Sequence, residues 1–214
     1  MTIQYEELMD KIEELCCMFN AFAIAIDGMA CAGKTELAAH LSKKFGAPII
    51  HMSDFILPEN ERPAGWEKTP GGEIDFERFD AEVVQKWLKQ KPIVYDLRDP
   101  KTGELTDRVA LPDGQIYIVE GTYCLHPAIL DFYDLRLFLR LSKEEQEKRA
   151  LSAGKTLDAR ELARQDDYFT MYMTELLADH TVDDTFCIPD PVEVAEEEDS
   201  LEETEETEEP TPEE

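Results

Sequence analysis

Leu8, Ile12, Leu15 and Phe19 recur at spacings of four and three in a charged background, the pattern of an amphipathic helix with one apolar stripe. The next stretch, Ala21-Phe-Ala-Ile-Ala-Ile26, is small, apolar and uninterrupted, and it ends in Asp27-Gly28. Such a run predicts a strand buried on both faces of a parallel sheet. A helix is predicted over 34–45, stopped by Gly46 and Pro48, and then a short strand over 49–52. From Phe55 to Gly72 the chain carries Pro58, Pro63, Gly65, Pro70, Gly71 and Gly72, which exclude regular structure, and Asp75 is placed to cap a helix over 76–89.

Two strand-like pieces, 93–95 and 105–111, flank the turn residues of Asp99-Pro-Lys-Thr-Gly103 and predict a hairpin, read as an insertion. Further strands are predicted over 115–120 and 135–139, with a short helix over 127–132 between them. Helical patterns over 143–151 and 157–178 follow, and a last strand is expected near 186–188. Strands that alternate with helices predict an α/β domain with a mostly parallel sheet and right-handed connections. No internal repeat is present.

Charge changes this picture at one end. The 214 residues carry a net −28, and residues 190–214 hold fourteen acidic and no basic residues, half of that imbalance. A tail of Glu, Thr, Pro and Asp has too little apolar surface to offset the entropy of ordering it, so disorder is expected there and one domain over 1–189. A solvated, solubilising extension is the plain reading of the tail; a contact with a basic partner is the other. The acidic field argues against nucleic acid as a partner, which needs clustered Lys and Arg. Five cysteines, odd in number and without Cys-x-x-Cys spacing, indicate neither a disulfide framework nor a zinc site. With no signal-like or membrane-spanning apolar run, a cytoplasmic protein is expected. An assembly of identical copies is left open.

The sharpest chemical signal is Gly28-Met29-Ala30-Cys31-Ala32-Gly33-Lys34-Thr35, a full match to the phosphate-binding loop, set between a buried strand and a helix. Its glycines let backbone N–H groups turn inward, the helix start adds a positive dipole end, Lys34 reaches the outer phosphates, and Thr35 offers a hydroxyl to Mg²⁺. A GTP switch needs Asn-Lys-x-Asp to read guanine, and neither asparagine, Asn20 or Asn60, is followed by lysine.

Taken with segments further along, the chain resembles the uridine kinase-like branch of P-loop small-molecule kinases, related to uridine-cytidine kinases and phosphoribulokinase. The matching segments are Ile26-Asp-Gly28 leading into the loop, His51-Met-Ser-Asp54-Phe-Ile-Leu-Pro58, Pro70 to Phe79, Ile118 to Pro127 and Tyr133 to Leu139, within about residues 20–188. The resemblance implies a three-layer P-loop NTPase fold with a helical lid. It also implies ATP as phosphate donor, Mg²⁺, and a small-molecule acceptor of the nucleoside kind, with another small alcohol or riboside as the runner-up.

Residue by residue, the resemblance implies that Asp54 accepts the proton of the attacking hydroxyl and helps hold Mg²⁺ with Thr35, and that Glu120 reaches the metal through water. A turn cap for Asp54 and an idle strand end for Glu120 are the alternatives. Arg62 and Arg78 fall on the acceptor side, where a guanidinium could hold substrate oxygens, although pairing with the abundant acids is an equal reading. Phe55, Trp66, Tyr95 and Tyr123 are candidate faces for a base, against ordinary packing. His51 and His126 are read as structural. In the lid stretch, Arg149 to Arg160 followed by Arg164, Lys155 stands after Gly154 where the resemblance implies an arginine, so Arg149 and Lys155 are the cations expected over the transferring phosphate. A degenerate nucleotide-binding regulatory module is the reading from outside the enzyme class.

Overall fold

The computed structural model describes residues 1–189; the expectation about 190–214 lies outside them. At the centre is a parallel sheet built from β1 (Phe22–Gly28), β2 (Ile49–His51), β5 (Ile116–Glu120), β6 (Leu135–Leu139) and β7 (His180–Val182). Its order is β2-β5-β1-β6-β7, so β1 lies in the middle and pairs with β5 and β6. Every residue of β1 and β5 is buried, as the unbroken apolar runs require. With β2 and β5 to one side of β1 and β6 and β7 to the other, the strand order reverses beside β1. A parallel sheet places a cleft outside the carboxyl ends of its strands at such a reversal.

Helices cover both faces. Against one pack α1 (Tyr5–Met18) and α2 (Lys34–Phe45), through Leu8, Ile12 and Leu15 from the first and Leu37, Ala38 and Leu41 from the second. Phe19 lies just past the end of α1 and is exposed, so the buried stripe closes at Leu15. The other face is covered by the helical run 76–88, by Leu125 and Ile129, and by Tyr168 of α6 (Ala159–Tyr172). Within 76–88 the pieces are α3 (Phe76–Phe79), a π-helical turn (Asp80–Val84) and α4 (Gln85–Leu88), and Asp75 caps the start by accepting from the Arg78 amide at 2.9 Å. The hairpin is present as β3 (Val94–Arg98) and β4 (Leu105–Ala110), antiparallel and separate from the main sheet.

Three expectations change. The last strand is His180–Val182 and not 186–188: Thr181 pairs with the N-terminal segment, accepting from the Ile3 amide at 2.9 Å, while Phe186 and Ile188 pack on the core without strand pairing. The expected helix 157–178 divides at Met173, where φ of 50° ends α6 before α7 (Thr174–Leu177). Inside the Pro/Gly-rich loop, Trp66–Lys68 forms one 3₁₀ turn and Met52–Phe55 another just before it, the second carrying Asp54. The helix α5 (Lys143–Ser152) matches its expected span to within one residue, capped by Ser142.

Candidate active site

The phosphate loop joins β1 to α2 at the sheet's reversal point. Gly28 has φ of +135°, and a Cβ there would lie 2.2 Å from the Leu139 carbonyl oxygen on β6, so the strand end closes against its neighbour only with glycine. The loop is then strapped down: the Met29 amide donates to Leu139 O at 2.9 Å and the Gln146 side-chain amide of α5 donates to Ala30 O at 2.9 Å. Gly33, at φ of 90°, opens α2 and points its first turn at the loop. Lys34 Nζ donates to the Gly28 and Met29 carbonyls at 2.7 and 2.9 Å. Burial lowers the pKa of this ammonium, and the nearby Asp27 carboxyl opposes that shift.

Facing the loop is a cleft of about 570 Å³ walled by Cys31 to Glu36 on one side and by Glu145, Lys148, Arg149 and Lys155 on the other. Both predicted lid cations therefore reach the phosphate-loop cleft, and Lys148, which the sequence reading passed over, joins them. Arg149 and Lys148 both donate to Glu145, at 3.1 and 3.0 Å. A smaller cavity of about 210 Å³ shares Gly33 and Arg149 and is closed by Asp183, Phe186 and Ile188, so the segment misread as a strand supplies its apolar wall.

At the carboxyl end of β5, Glu120 is buried and receives the Thr35 hydroxyl on Oε2 at 3.3 Å, while its Oε1 lies 2.5 Å from His51 Nδ1. The contact with Glu120 raises the His51 pKa, and that of Glu120 is held down by His51 and Thr35 against the opposing effect of burial. His51, read from the sequence as structural, contacts Glu120; its place on the strand beside β5, directly before the turn that carries Asp54, was the available signal. A hydroxyl and a carboxylate side by side are a hard, all-oxygen donor pair of the kind that would hold Mg²⁺. Among the described residues no group of three or more His, Cys, Asp or Glu side chains forms a metal cage.

Asp54 accepts the Tyr95 hydroxyl of the hairpin at 3.0 Å on Oδ2, and burial raises its pKa. Arg78 serves as a clamp: it donates to the carbonyls of Asp54 and Asp96, faces Asp75 and Glu82, and lies 4.4 Å over the Phe55 ring. Those partners use its donors within the protein. Phe55 itself is fully buried between Phe79 and Tyr95 and presents no face to a cleft. Arg62 donates to Leu57 O at 3.0 Å and covers Trp66, whose ring also carries Arg164. Tyr123 is buried with its hydroxyl on Glu73 at 3.1 Å, and it lines a third cavity of about 240 Å³ together with Ser53, Glu73, Glu120, Glu161 and Gln165. His126 packs against Phe76 and Tyr172, and burial lowers its pKa to about 4.

No protein-family model and no curated protein matches the chain. Solved structures do. A possible uridine kinase from Bacillus stearothermophilus superposes with a TM-score of 0.60 at 21% identity, over 83% of this chain and all of that one. Shikimate kinase from Acinetobacter baumannii, in complex with shikimate, is a more distant match, with a TM-score of 0.42 at 18% identity over 78% of this chain and 86% of that one. The chain shares the fold of the first of these, an α/β domain with a mostly parallel sheet, as the sequence resemblance implied. No helix among the described residues is long and apolar enough to cross a membrane.

Proposed function

We propose that this protein transfers the γ-phosphoryl group of ATP to a hydroxyl of a small molecule. One observation carries the reading: Lys34 and Thr35 of the phosphate loop face lid cations across one cleft, while Glu120, which touches Thr35, also lines the neighbouring 240 Å³ cavity. Donor and acceptor spaces thus meet at a carboxylate suited to the metal. The loop 28–35 holds the phosphates, and the smaller cavity beside Phe186 receives the base of the donor. Thr35 and Glu120, with Asp54, would hold Mg²⁺, which would supply positive charge against that of the phosphates.

Asp54 takes the proton of the attacking hydroxyl, the oxygen forms its new bond to phosphorus, and ADP leaves with the electrons of the broken bridge bond. Arg149, Lys148 and Lys155 neutralise the transferring group once the lid exchanges its Glu145 contacts for phosphate. The segments around Asp54, Asp75 and Glu120 favour a nucleoside of the uridine or cytidine kind as acceptor, with another small alcohol or riboside as the alternative. The reading as a nucleotide-binding regulatory module draws on the lid, where Lys155 stands in place of an arginine, and on the Asp54 carboxyl, which is held by Tyr95 and is not among the residues lining the 240 Å³ cavity.

The test is phosphoryl transfer from Mg·ATP across a panel of nucleosides, sugars and other small alcohols. Turnover of one acceptor with stoichiometric ADP supports the kinase; ATP binding with no turnover on any acceptor favours the regulatory module.

A further inference from the structure

One face of α6 carries Glu161, Arg164, Gln165 and Tyr168, spaced at three, one and three residues, so that all four look the same way. Glu161 and Gln165 line the 240 Å³ cavity, Tyr168 reaches the base of the phosphate loop, and Arg164 stands 3.7 Å from Glu73. The buried polar atoms that the cavity's lining side chains leave without a partner are acceptors, while Arg164 Nε, behind Glu73, is a buried donor without a hydrogen-bond partner. Gln165 is only 5% exposed, and its amide oxygen has no hydrogen-bond partner; Glu73 Oε2 is buried and likewise unpartnered, its other oxygen taking the Tyr123 hydroxyl. A native structure leaves such acceptors unpaired where something else is to satisfy them. The cavity is lined by three carboxylates, Glu73, Glu120 and Glu161, and by no lysine or arginine. Behind it Arg164 offsets Glu73 and His51 offsets Glu120, which leaves Glu161, an exposed residue that accepts from the Gln165 amide at 3.4 Å, as the lining carboxylate with no ion-pair partner among the described residues.

We infer that this face of α6 reads the acceptor, and that the subsite takes a donor-rich alcohol bearing no negative charge, held more tightly when it bears a positive one. The inference rests on the kinase reading for the identity of the cavity as the acceptor side. Hydroxyl, amino or amide N–H groups fill the open valences of Glu73 and Gln165, and Glu161 supplies the charge term. A carboxylate or phosphate on the ligand would bring a fourth negative group into the cavity without a cation to meet it.

Binding of charge-matched ligands to the full chain tests this, by calorimetry in a saturating non-hydrolysable Mg·ATP analogue and again without it. One series is uridine, orotidine and nicotinamide riboside; the second is glucose, glucuronate and glucosamine. In the series that binds, the anionic member should be at least tenfold weaker than the neutral one and the cationic member at least as tight. Glu161→Gln should narrow the gap between anion and cation severalfold while leaving affinity for the ATP analogue unchanged, and Gln165→Leu should weaken the neutral member. Equal binding of the anion, or a gap that Glu161→Gln leaves intact, overturns the inference. Binding of the ATP analogue with no member of either series overturns it as well and leaves the phosphate-loop reading standing. Loss of ATP-analogue binding in the native chain would instead defeat the kinase reading, and the charge series without nucleotide would then decide the subsite alone.

Discussion

The hydroxyl of Tyr168 donates to Asp27 Oδ2 at 2.8 Å, joining the helix beside the lid to the strand that launches the phosphate loop across 141 residues of chain. Asp27 is fully buried and also accepts from the amides of Gly28 and Leu125, at 2.7 and 2.9 Å. Burial raises its pKa and those three donors, with Lys34, work against that shift. The helix that lines the 240 Å³ cavity is thereby registered to the phosphate loop.

Tyr168→Phe keeps the ring packing and removes this one donor from a buried carboxyl. A loss of about 1.5–3 kcal/mol is expected, read as a lower urea midpoint at unchanged slope. An unchanged midpoint would mean that the bond contributes nothing net.

Gly28→Ala should be far more severe. The new methyl would meet backbone of β6 at 2.2 Å in a conformation that alanine rarely adopts, and neither strand can give way without breaking the centre of the sheet. The expected cost is about 3 kcal/mol or more, with loss of ATP binding in whatever folds. A stable variant with native ATP affinity would show that the loop is not held as described.

His126 gives stability a pH dependence of known sign. Its pKa falls from the ordinary value of 6.5 to about 4 because the ring is partly buried, so between those values the unfolded chain binds more protons than the folded one. Its contribution is therefore present above pH 6.5 and lost as pH falls toward 4. Discounted for partial exposure, it should amount to about 1–2 kcal/mol, seen as the part of the acid-side slope that His126→Gln removes. A variant with the same slope as the native chain would contradict this.

Lid substitutions separate three cations. Arg149 lines both the 570 and the 210 Å³ cavities, so Arg149→Ala should lower the rate of transfer by about 10²-fold. Lys148 is well exposed, and Lys148→Ala should cost only severalfold, mostly in ATP affinity at low salt. Transfer rates and ATP affinities for both, with Lys155→Ala beside them, provide the check; equal effects at positions 148 and 149 would contradict the assignment.

Local features of this molecule were legible in the sequence and distant pairings were not. The phosphate loop, the helix 34–45 and the Asp75 cap are specified by residues within a few positions of each other, and they stand where the pattern placed them. The last strand was missed because His180-Thr181-Val182 carries little apolar signal; parallel pairing with β6, together with the bridge from the N-terminal segment to Thr181, holds it, and Phe186 and Ile188 draw their burial from the core instead. His51 looked structural because its partner, Glu120, lies 69 residues away on the adjacent strand. Arg78 carried the right chemistry for a substrate clamp, but the carbonyls that occupy it come from elements that only the fold brings together. Gln165 and Glu161 had no motif at all, since a helix face becomes a cavity wall only once its neighbours are in place.

The most direct measurement compares the native chain with Asp54→Asn and Lys34→Ala, following phosphoryl transfer from Mg·ATP to the acceptor identified in the panel alongside the ATP dissociation constant of each. If Asp54 takes the hydroxyl proton and Lys34 holds the phosphates, Asp54→Asn should lower turnover by about 10²–10⁴-fold with ATP affinity nearly native. Lys34→Ala should lose both. Native turnover in Asp54→Asn, or undiminished ATP affinity in Lys34→Ala, would contradict the site as described.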